Sequence, residues 1–81
     1  MLTKEIVLAL KYGDILYHVR HRNADGTTLR VRVVGKCRVL KTRPEQWQLP
    51  LMRGLRQSFY IDNTCADQWA TSETAAIVEG P

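Results

Sequence analysis

The feature that most constrains the fold is a pair of short segments in which apolar and polar residues alternate on either side of a glycine turn. The segments are Ile15–Arg22 and Thr28–Val33, and a period of two is the pattern of a β-strand with one buried face. Between them, the residues at 23–26 are Asn-Ala-Asp-Gly, which are typical of tight turns. The sequence therefore predicts an antiparallel β-hairpin.

The alternation also predicts the register of this hairpin, because a slip of one residue would turn the charged side chains into the core. A two-residue loop at 25–26 mixes the apolar and charged sets. A three-residue loop at 24–26 keeps them apart and puts Gly26 at the left-handed position that such a loop requires. The predicted pairs are then Val19 with Val31, Tyr17 with Val33, His21 with Leu29, Arg20 with Arg30 and His18 with Arg32.

This register places several cationic side chains on one exposed face. Like charges directly opposite one another are unfavourable in a sheet, so the arrangement favours an anion bound at that face.

The alternation continues beyond the hairpin through Gly35. Either one long strand bent at Gly35 or a three-residue turn at 34–36 preserves it, and Arg38 stays on the charged face in both geometries.

Residues 1–10 fit a strand, or a short helix with Leu2, Ile6 and Leu10 on one side, and the β-branched pair at 6–7 favours the strand. A turn is predicted at 11–14, where Gly and Asp follow each other.

In the second half of the chain, residues 47–50 predict a short edge strand, because Pro50 cannot donate to a ladder, and residues 51–55 predict a turn. Residues 56–61 predict a strand with Phe59 and Ile61 inward and Tyr60 outward. Thr64 is the predicted N-cap of a short helix, with Asp67 at the third helical position and Cys65 and Trp69 on one side.

Short strands separated by frequent turn signals predict an all-β fold, specifically a small SH3-like or OB-like barrel of four or five antiparallel strands with a short C-terminal helical turn. The chain has 81 residues, which suits one domain. We expect the domain at 1–69 and a flexible acidic tail at 70–81. An open strand edge would also allow a homodimer.

The basic residues are concentrated in the middle of the chain. Ten of the twelve lysines and arginines lie within 20–56, and the formal net charge is +4. Arginine dominates this set and suits bidentate contacts to phosphate, so the sequence predicts a small non-enzymatic module that contacts nucleic acid through an Arg-rich sheet face. The alternative is a protein-interaction module that engages an acidic protein surface through the same arginines. The candidate nucleic-acid or anion-binding residues are His18, Arg20, Arg22, Arg30, Arg32, Arg38, Lys41, Arg43 and Tyr60, the last as a stacking partner for an unpaired base.

Catalytic and metal sites are not expected. No Ser or Cys stands at a spacing that would make a histidine its general base, and there is no carboxylate pair or Gly-rich phosphate loop. A zinc site from His18, His21, Cys37 and Cys65 would need ligands from opposite faces of a strand, so both cysteines are predicted to be free thiols and no cofactor is expected. Charged residues interrupt the apolar run near the N-terminus, so no membrane association and a cytoplasmic location are expected.

A further pattern is carried by the run 35–44 and by Trp47, Leu49-Pro50, Gly54-Leu55, Tyr60-Ile61 and 66–69. It resembles the pattern of a group of small uncharacterised bacterial and prophage-encoded proteins. Their pattern is Asn-Gly-Lys, then Trp-Lys-Thr-x-Pro, an aromatic residue, a Leu-Pro or Val-Pro pair, a basic residue before Gly-Leu, a Tyr-Ile strand and a closing aromatic residue. The resemblance covers 12–69 and departs at Val34, where the pattern has Asn, and at Leu40, where it has Trp. It implies a phage or mobile-element origin and no particular mechanism.

Overall fold

The computed structural model describes residues 2–79 as one antiparallel β-sheet flanked by two short helices. The strands are β1 (Ile15–Arg22), β2 (Thr28–Val33), β3 (Arg38–Val39), β4 (Trp47–Arg53), β5 (Gln57–Asp62) and β6 (Trp69–Ala70). The helices are α1 (Lys4–Ala9) and α2 (Glu73–Glu79), and a 3₁₀ turn lies at Ala66–Gln68. The strand order is β3-β4-β2-β1-β6, with β5 paired to β4 as well.

This topology confirms the predicted all-β class. Within residues 2–79 the sheet is open, with β5 and β6 at its edges, so the closed barrel is not confirmed. The structure has six strands rather than four or five. Two of them, β3 and β6, contain only two residues each, and a strand of two residues is too short to show an alternation of apolar and polar residues.

One face of the sheet carries the hydrophobic core. The largest side chains that are fully removed from solvent there are Leu16, Leu49, Leu51, Val7, Val31 and Val33. Burial of a leucine or valine of this kind contributes about 1.5–3 kcal/mol. The two tryptophans, Trp47 and Trp69, join the same cluster. The core therefore draws on every strand from β1 to β6 except the two-residue β3, whose Val39 packs at its margin.

The N-terminal segment is a helix, so the strand predicted at 1–10 is wrong and the helical alternative is confirmed. Thr3 caps α1, because the backbone N–H of Ile6 donates to its hydroxyl oxygen at 3.3 Å. The helix packs Leu2 and Val7 into the core and Ile6 and Leu10 against it. Packing at helical spacing thus outweighs the strand propensity of the β-branched pair.

The loop between β1 and β2 has the predicted three residues. Gly26 has a φ of 86°, the left-handed conformation that favours glycine. The backbone N–H of Asn23 donates to the Thr27 carbonyl at 2.8 Å, so that Arg22 and Thr28 are paired at the end of the hairpin.

Away from this loop the register differs from the prediction. Between the pairs Arg22–Thr28 and Tyr17–Arg30, β1 contains four residues and β2 contains one, so three extra residues form a bulge in β1. An odd number of extra residues exchanges the two faces of the strand, and Leu16 rather than Tyr17 points into the core. The predicted pairs that are wrong are Val19 with Val31, Tyr17 with Val33, His21 with Leu29, Arg20 with Arg30 and His18 with Arg32.

β2 and β3 are two parts of one bent strand that follows a single edge of β4. β2 pairs with residues 51–52 and β3 with residues 47–48, both antiparallel, so the chain keeps its direction across Gly35. The bent-strand geometry is therefore confirmed, and the three-residue turn at 34–36 is wrong. A Cβ atom on Gly35 would lie 2.8 Å from Cγ of Pro50, so this close approach requires glycine.

β4 runs straight through Pro50, so the predicted strand end at this residue and the predicted turn at 51–55 are wrong. The Pro50 carbonyl accepts a hydrogen bond from the Val34 backbone N–H at 3.1 Å. Because the N–H and C=O of one strand residue point to the same side, the missing N–H of Pro50 faces the bend at Gly35, where the ladder is already interrupted. The turn to β5 comes later, with Gly54 at a φ of 63°.

The predictions for β5 are confirmed, while the helical turn after it is capped differently from the prediction. Ile61 is buried, Phe59 is half-buried and Tyr60 is exposed. The 3₁₀ turn begins after Cys65, and no side chain caps it. The Thr64 hydroxyl instead donates to the carboxylate of Asp62, which also accepts the Thr64 backbone N–H at 2.9 Å. Thr64 therefore belongs to the turn after β5.

Residues 70–79, where a flexible acidic tail is expected, form the end of β6 and α2. Ala70 pairs with Tyr17 and is fully buried. Ser72 starts α2, since its side-chain oxygen accepts the Ala75 backbone N–H at 3.1 Å. Ala76 is also fully buried and packs with Val19 and Ala70 in a second, smaller cluster. The alanines at 70 and 76 are small enough to permit this packing. Alanine is only weakly hydrophobic, so these positions do not stand out in the sequence as buried. Residues 80–81 lie outside the described part of the chain.

The approach of Gly35 to Pro50 gives a test of the bent strand. We expect Gly35→Ala to destabilise the protein by about 1–3 kcal/mol, because the added methyl group overpacks the contact with the Pro50 ring. The measurement is chemical denaturation of Gly35→Ala, Pro50→Ala and the double variant. The loss caused by Gly35→Ala should shrink in the Pro50→Ala background, and strictly additive effects would contradict the proposed contact.

Candidate nucleic-acid interface

The face of the sheet opposite the core, called the outer face here, carries arginines in neighbouring strands. Arg30 and Arg32 alternate with the buried valines of β2, and Arg38 alternates with the partly buried Val39 of β3. Paired residues in antiparallel strands point to the same face, so pairing shows which side chains surround them. The outer-face rows across the strands are Ile15–Arg32–Met52–Ser58, Tyr17–Arg30, Pro50–Tyr60 and Arg38–Gln48–Asp62.

Arg32 is the arginine most enclosed by this face. It is half-buried, and one terminal nitrogen of its guanidinium lies 3.5 Å from the Met52 sulfur, a weak acceptor. Its Nε atom is buried and has no hydrogen-bond partner among the described residues. The buried Nε is inaccessible to a ligand, but the terminal nitrogens, with only a weak sulfur contact, have capacity to bind an anionic oxygen atom. The groove beside it, about 320 Å³ in volume, is lined by Ile15, Arg30, Val31, Arg32, Met52 and Gly54.

Arg30 lines both the groove beside Arg32 and a second groove, and the second groove contains the carboxylate of Glu73. The second groove, about 280 Å³ in volume, lies next to α2 and includes Tyr17, Thr28, Arg30 and Glu73 in its lining. Glu73 accepts a hydrogen bond from the Thr28 hydroxyl at 3.4 Å. The negative charge of Glu73 therefore offsets part of the field of Arg30 but is remote from β3 and Arg38.

Tyr60 lies on the outer face of β5, next to the ring of Pro50 on β4. Its side chain is 67% exposed, and Pro50 is half-buried. The adjacent row of the outer face, Arg38–Gln48–Asp62, contains the acidic residue Asp62. Hydrogen bonds from the Thr64 side chain and backbone lower the pKa of Asp62, so its carboxylate is charged at neutral pH and is occupied by the turn after β5.

His18 is not on the outer face, so its predicted exposure is wrong. Its ring is 5% exposed and lies edge-on against Trp69, with ring centroids 4.8 Å apart. The backbone N–H groups of Arg20 and His21 donate to His18 Nδ1 at 3.1 and 3.0 Å. Nδ1 must be unprotonated to accept them, so His18 is a neutral ring with its proton on Nε2.

Arg22 holds the other side of the same bulge. One terminal nitrogen of its guanidinium donates to the carbonyls of His18 and His21 at 3.1 Å, and the other donates to the carbonyl of Val19 at 3.4 Å. His18 thus accepts two N–H groups of the bulge, and Arg22 donates to three of its carbonyls. Both side chains satisfy backbone groups that the interrupted ladder leaves unpaired. Arg20 is exposed at the centre of the bulge.

Lys41 and Arg43 are exposed in the loop between β3 and β4 and are not part of the sheet face. The loop is closed by a bond from the Gln46 backbone N–H to the Arg43 carbonyl at 2.9 Å. Of the nine predicted residues, the structure brings four together on the outer face: Arg30, Arg32, Arg38 and Tyr60.

Two outer-face residues that border these four, Ile15 and Pro50, were missed by sequence reasoning. They were missed because β4 was predicted to end at Pro50 and because β1 was assigned the opposite faces. The burial of Trp47, Leu49 and Leu51 has a period of two that spans the proline. That alternation, if followed through Pro50, is the signal that identifies the missed positions.

Comparisons with protein-family models, with curated proteins and with solved structures find no match for this chain. Between residues 2 and 79, no helix is long and apolar enough to cross a membrane. The same residues contain no group of three or more His, Cys, Asp or Glu side chains placed to hold a metal ion, and Cys37 and Cys65 are free thiols.

The bulge predicts a dependence of stability on pH. Burial first, and then the neighbouring His21, lower the pKa of His18 below its ordinary value of 6.5. The unfolded chain then binds a proton more readily than the folded protein, so stability is fully present above pH 6.5 and is lost progressively as pH falls from this value to the lowered pKa of folded His18. We expect the urea concentration at the midpoint of denaturation to decrease as pH is lowered below 6.5.

The matched variant is His18→Asn, whose amide oxygen can take the place of Nδ1 but does not titrate. It should be less stable than the parent at pH 8, because it loses the contact with Trp69, and it should show a smaller decrease below pH 6.5. An equal decrease in both proteins would rule out His18 as the group responsible.

Proposed function

We propose that the protein is a non-enzymatic nucleic-acid-binding module whose outer sheet face contacts the phosphate backbone. The observation that carries the proposal is the unsatisfied guanidinium of Arg32 on a face that also presents Arg30 and Arg38. Arginine forms short, charge-assisted and often bidentate hydrogen bonds with phosphate oxygens. A phosphodiester in the groove would supply an oxygen acceptor to the terminal nitrogens of Arg32, whose contact in the fold is the weakly accepting Met52 sulfur.

The arrangement supports phosphate more than a carboxylate-bearing protein segment. An acidic protein partner would place its carboxylates at spacings set by its own backbone, which need not match the spacing of the arginines. Nucleic acid offers a regular array of anions, and neutralising even a few of them releases counterions and gives affinity without sequence preference. A protein partner remains the competing proposal, and the binding experiment below distinguishes the two.

The experiment is a titration of fluorescein-labelled oligonucleotides, single-stranded and double-stranded, followed by anisotropy at several salt concentrations. We expect binding at low salt that weakens as salt rises. The double variant Arg32→Gln and Arg38→Gln should bind much more weakly, and its salt dependence should fall by about two counterions.

A matched control removes the same charge from another place. The double variant Lys41→Gln and Arg43→Gln also loses two positive charges, but both lie in the loop between β3 and β4. Compared at about 0.1 M salt, it should keep most of the affinity, because long-range attraction is then screened beyond about 10 Å. Equal losses in the two double variants would show a general charge effect, and no binding at low salt would refute the proposed function.

A further inference from the structure

We propose that the ligand of the outer face is a single strand, with one base stacked on Tyr60 and Pro50 and with phosphates bound by Arg32 and Arg38 on either side. This inference rests on the proposed function and makes it specific. It follows from the row order along β4, where Arg32 pairs with Met52 and Arg38 with Gln48, while Tyr60 pairs with Pro50 between them.

The pairing defines a triangle of side chains. Arg32 and Arg38 lie on the same edge of β4, four residues apart along that strand, which corresponds to about 14 Å. Tyr60 lies across β4, level with the midpoint between them, at about 12 Å from each by strand spacing and rise. Single-strand sites in small β-domains cover about 4 nucleotides or more, so a short stretch of a single strand would contact all three.

The centre of the triangle is apolar. It is formed by the Pro50 ring, held against Gly35, with the phenol ring of Tyr60 beside it. Met52 borders it in the row of Arg32, and Gln48 borders it in the row of Arg38. A duplex presents its phosphates outermost and keeps the faces of its bases stacked inside, so it would set charged groups against this apolar surface. An unpaired base, by contrast, has a free π-face and gains from stacking on an aromatic ring.

The charges around the triangle also point to Arg32 and Arg38 as the phosphate-binding pair. Arg22 is committed to the carbonyls of the bulge, and Arg30 shares a groove with Glu73. Asp62 occupies the row of Arg38, but on the far edge of β4, where its carboxylate accepts hydrogen bonds from Thr64. The cationic side of β4 is therefore the edge along which β2 and β3 run.

The test compares Tyr60→Ala with the parent for binding of an oligothymidylate of about 12 nucleotides and of a hairpin duplex. Tyr60→Ala should weaken single-strand binding by roughly 5- to 150-fold, the loss expected for one base–aromatic contact, without changing the dependence on salt. Tyr60→Phe and Tyr60→Trp should keep the affinity, because each retains a stacking ring. Duplex binding, weaker in the parent, should be unaffected by all three changes.

Tyr12→Ala is the matched control, since Tyr12 is 73% exposed but lies in the turn before β1. Far-UV circular dichroism checks that each variant is folded. We expect all of them to fold, because both tyrosines are exposed and contribute little to the core. Preference of the parent for duplex, or unchanged single-strand binding by Tyr60→Ala, would overturn this inference and leave the proposed function standing. Failure of the parent to bind either oligonucleotide would overturn both.

Discussion

The arrangement of the outer face depends on one close approach, that of the Gly35 backbone to the Pro50 ring. A side chain at position 35 would collide with Cγ of Pro50, so only glycine lets the bent strand stay against β4 as it passes from β2 to β3. Because the chain keeps its direction there, Arg32 and Arg38 remain on the same face and the same edge. A turn at that point would have paired β2 with β3 and removed Arg38 from β4. Pro50, which has no N–H to offer, is suited to the position where the ladder is interrupted.

The bulge in β1 explains why the hairpin could be predicted in part only. Its loop follows from local chemistry, since glycine at position 26 and the residues around it favour one loop length. The bulge depends on tertiary contacts: His18 turns inward against Trp69, which lies fifty-one positions later in the chain. Alternation cannot reveal an insertion of three residues, because His18 and Arg22 look like exposed polar residues until their backbone partners are known. The positions of Arg30 and Arg32 were nevertheless predicted correctly, because β2 is regular.

The two helices likewise could not be predicted from local sequence alone. α1 has a capping threonine and apolar residues at helical spacing, so its sequence contains the evidence for a helix, but six residues are too few for propensity to decide. α2 is held by the burial of Ala76 against Ala70 and Val19, and alanine is a weak hydrophobic signal. In both cases packing against the sheet decides the structure. α2 also covers the outer face near Tyr17, so the part of that face open to a ligand lies on β2, β3, β4 and β5 and at Ile15, the first residue of β1.

A count of charges treats the arginines as equivalent, whereas the structure gives each a different environment. Arg22 donates to three carbonyls and stabilises the bulge, so its charge is part of the fold. Arg30 has Glu73 in a groove that it lines. Arg32, by contrast, has only the weakly accepting Met52 sulfur against its terminal nitrogens, so an anionic oxygen in the groove would be a better partner than the fold provides. An arginine kept in that state contributes more to binding than to stability, and Arg32 stands next to Met52, which borders the apolar Pro50 ring. The arginine that is least satisfied by the fold is therefore the one best placed to select a ligand with both phosphates and exposed bases.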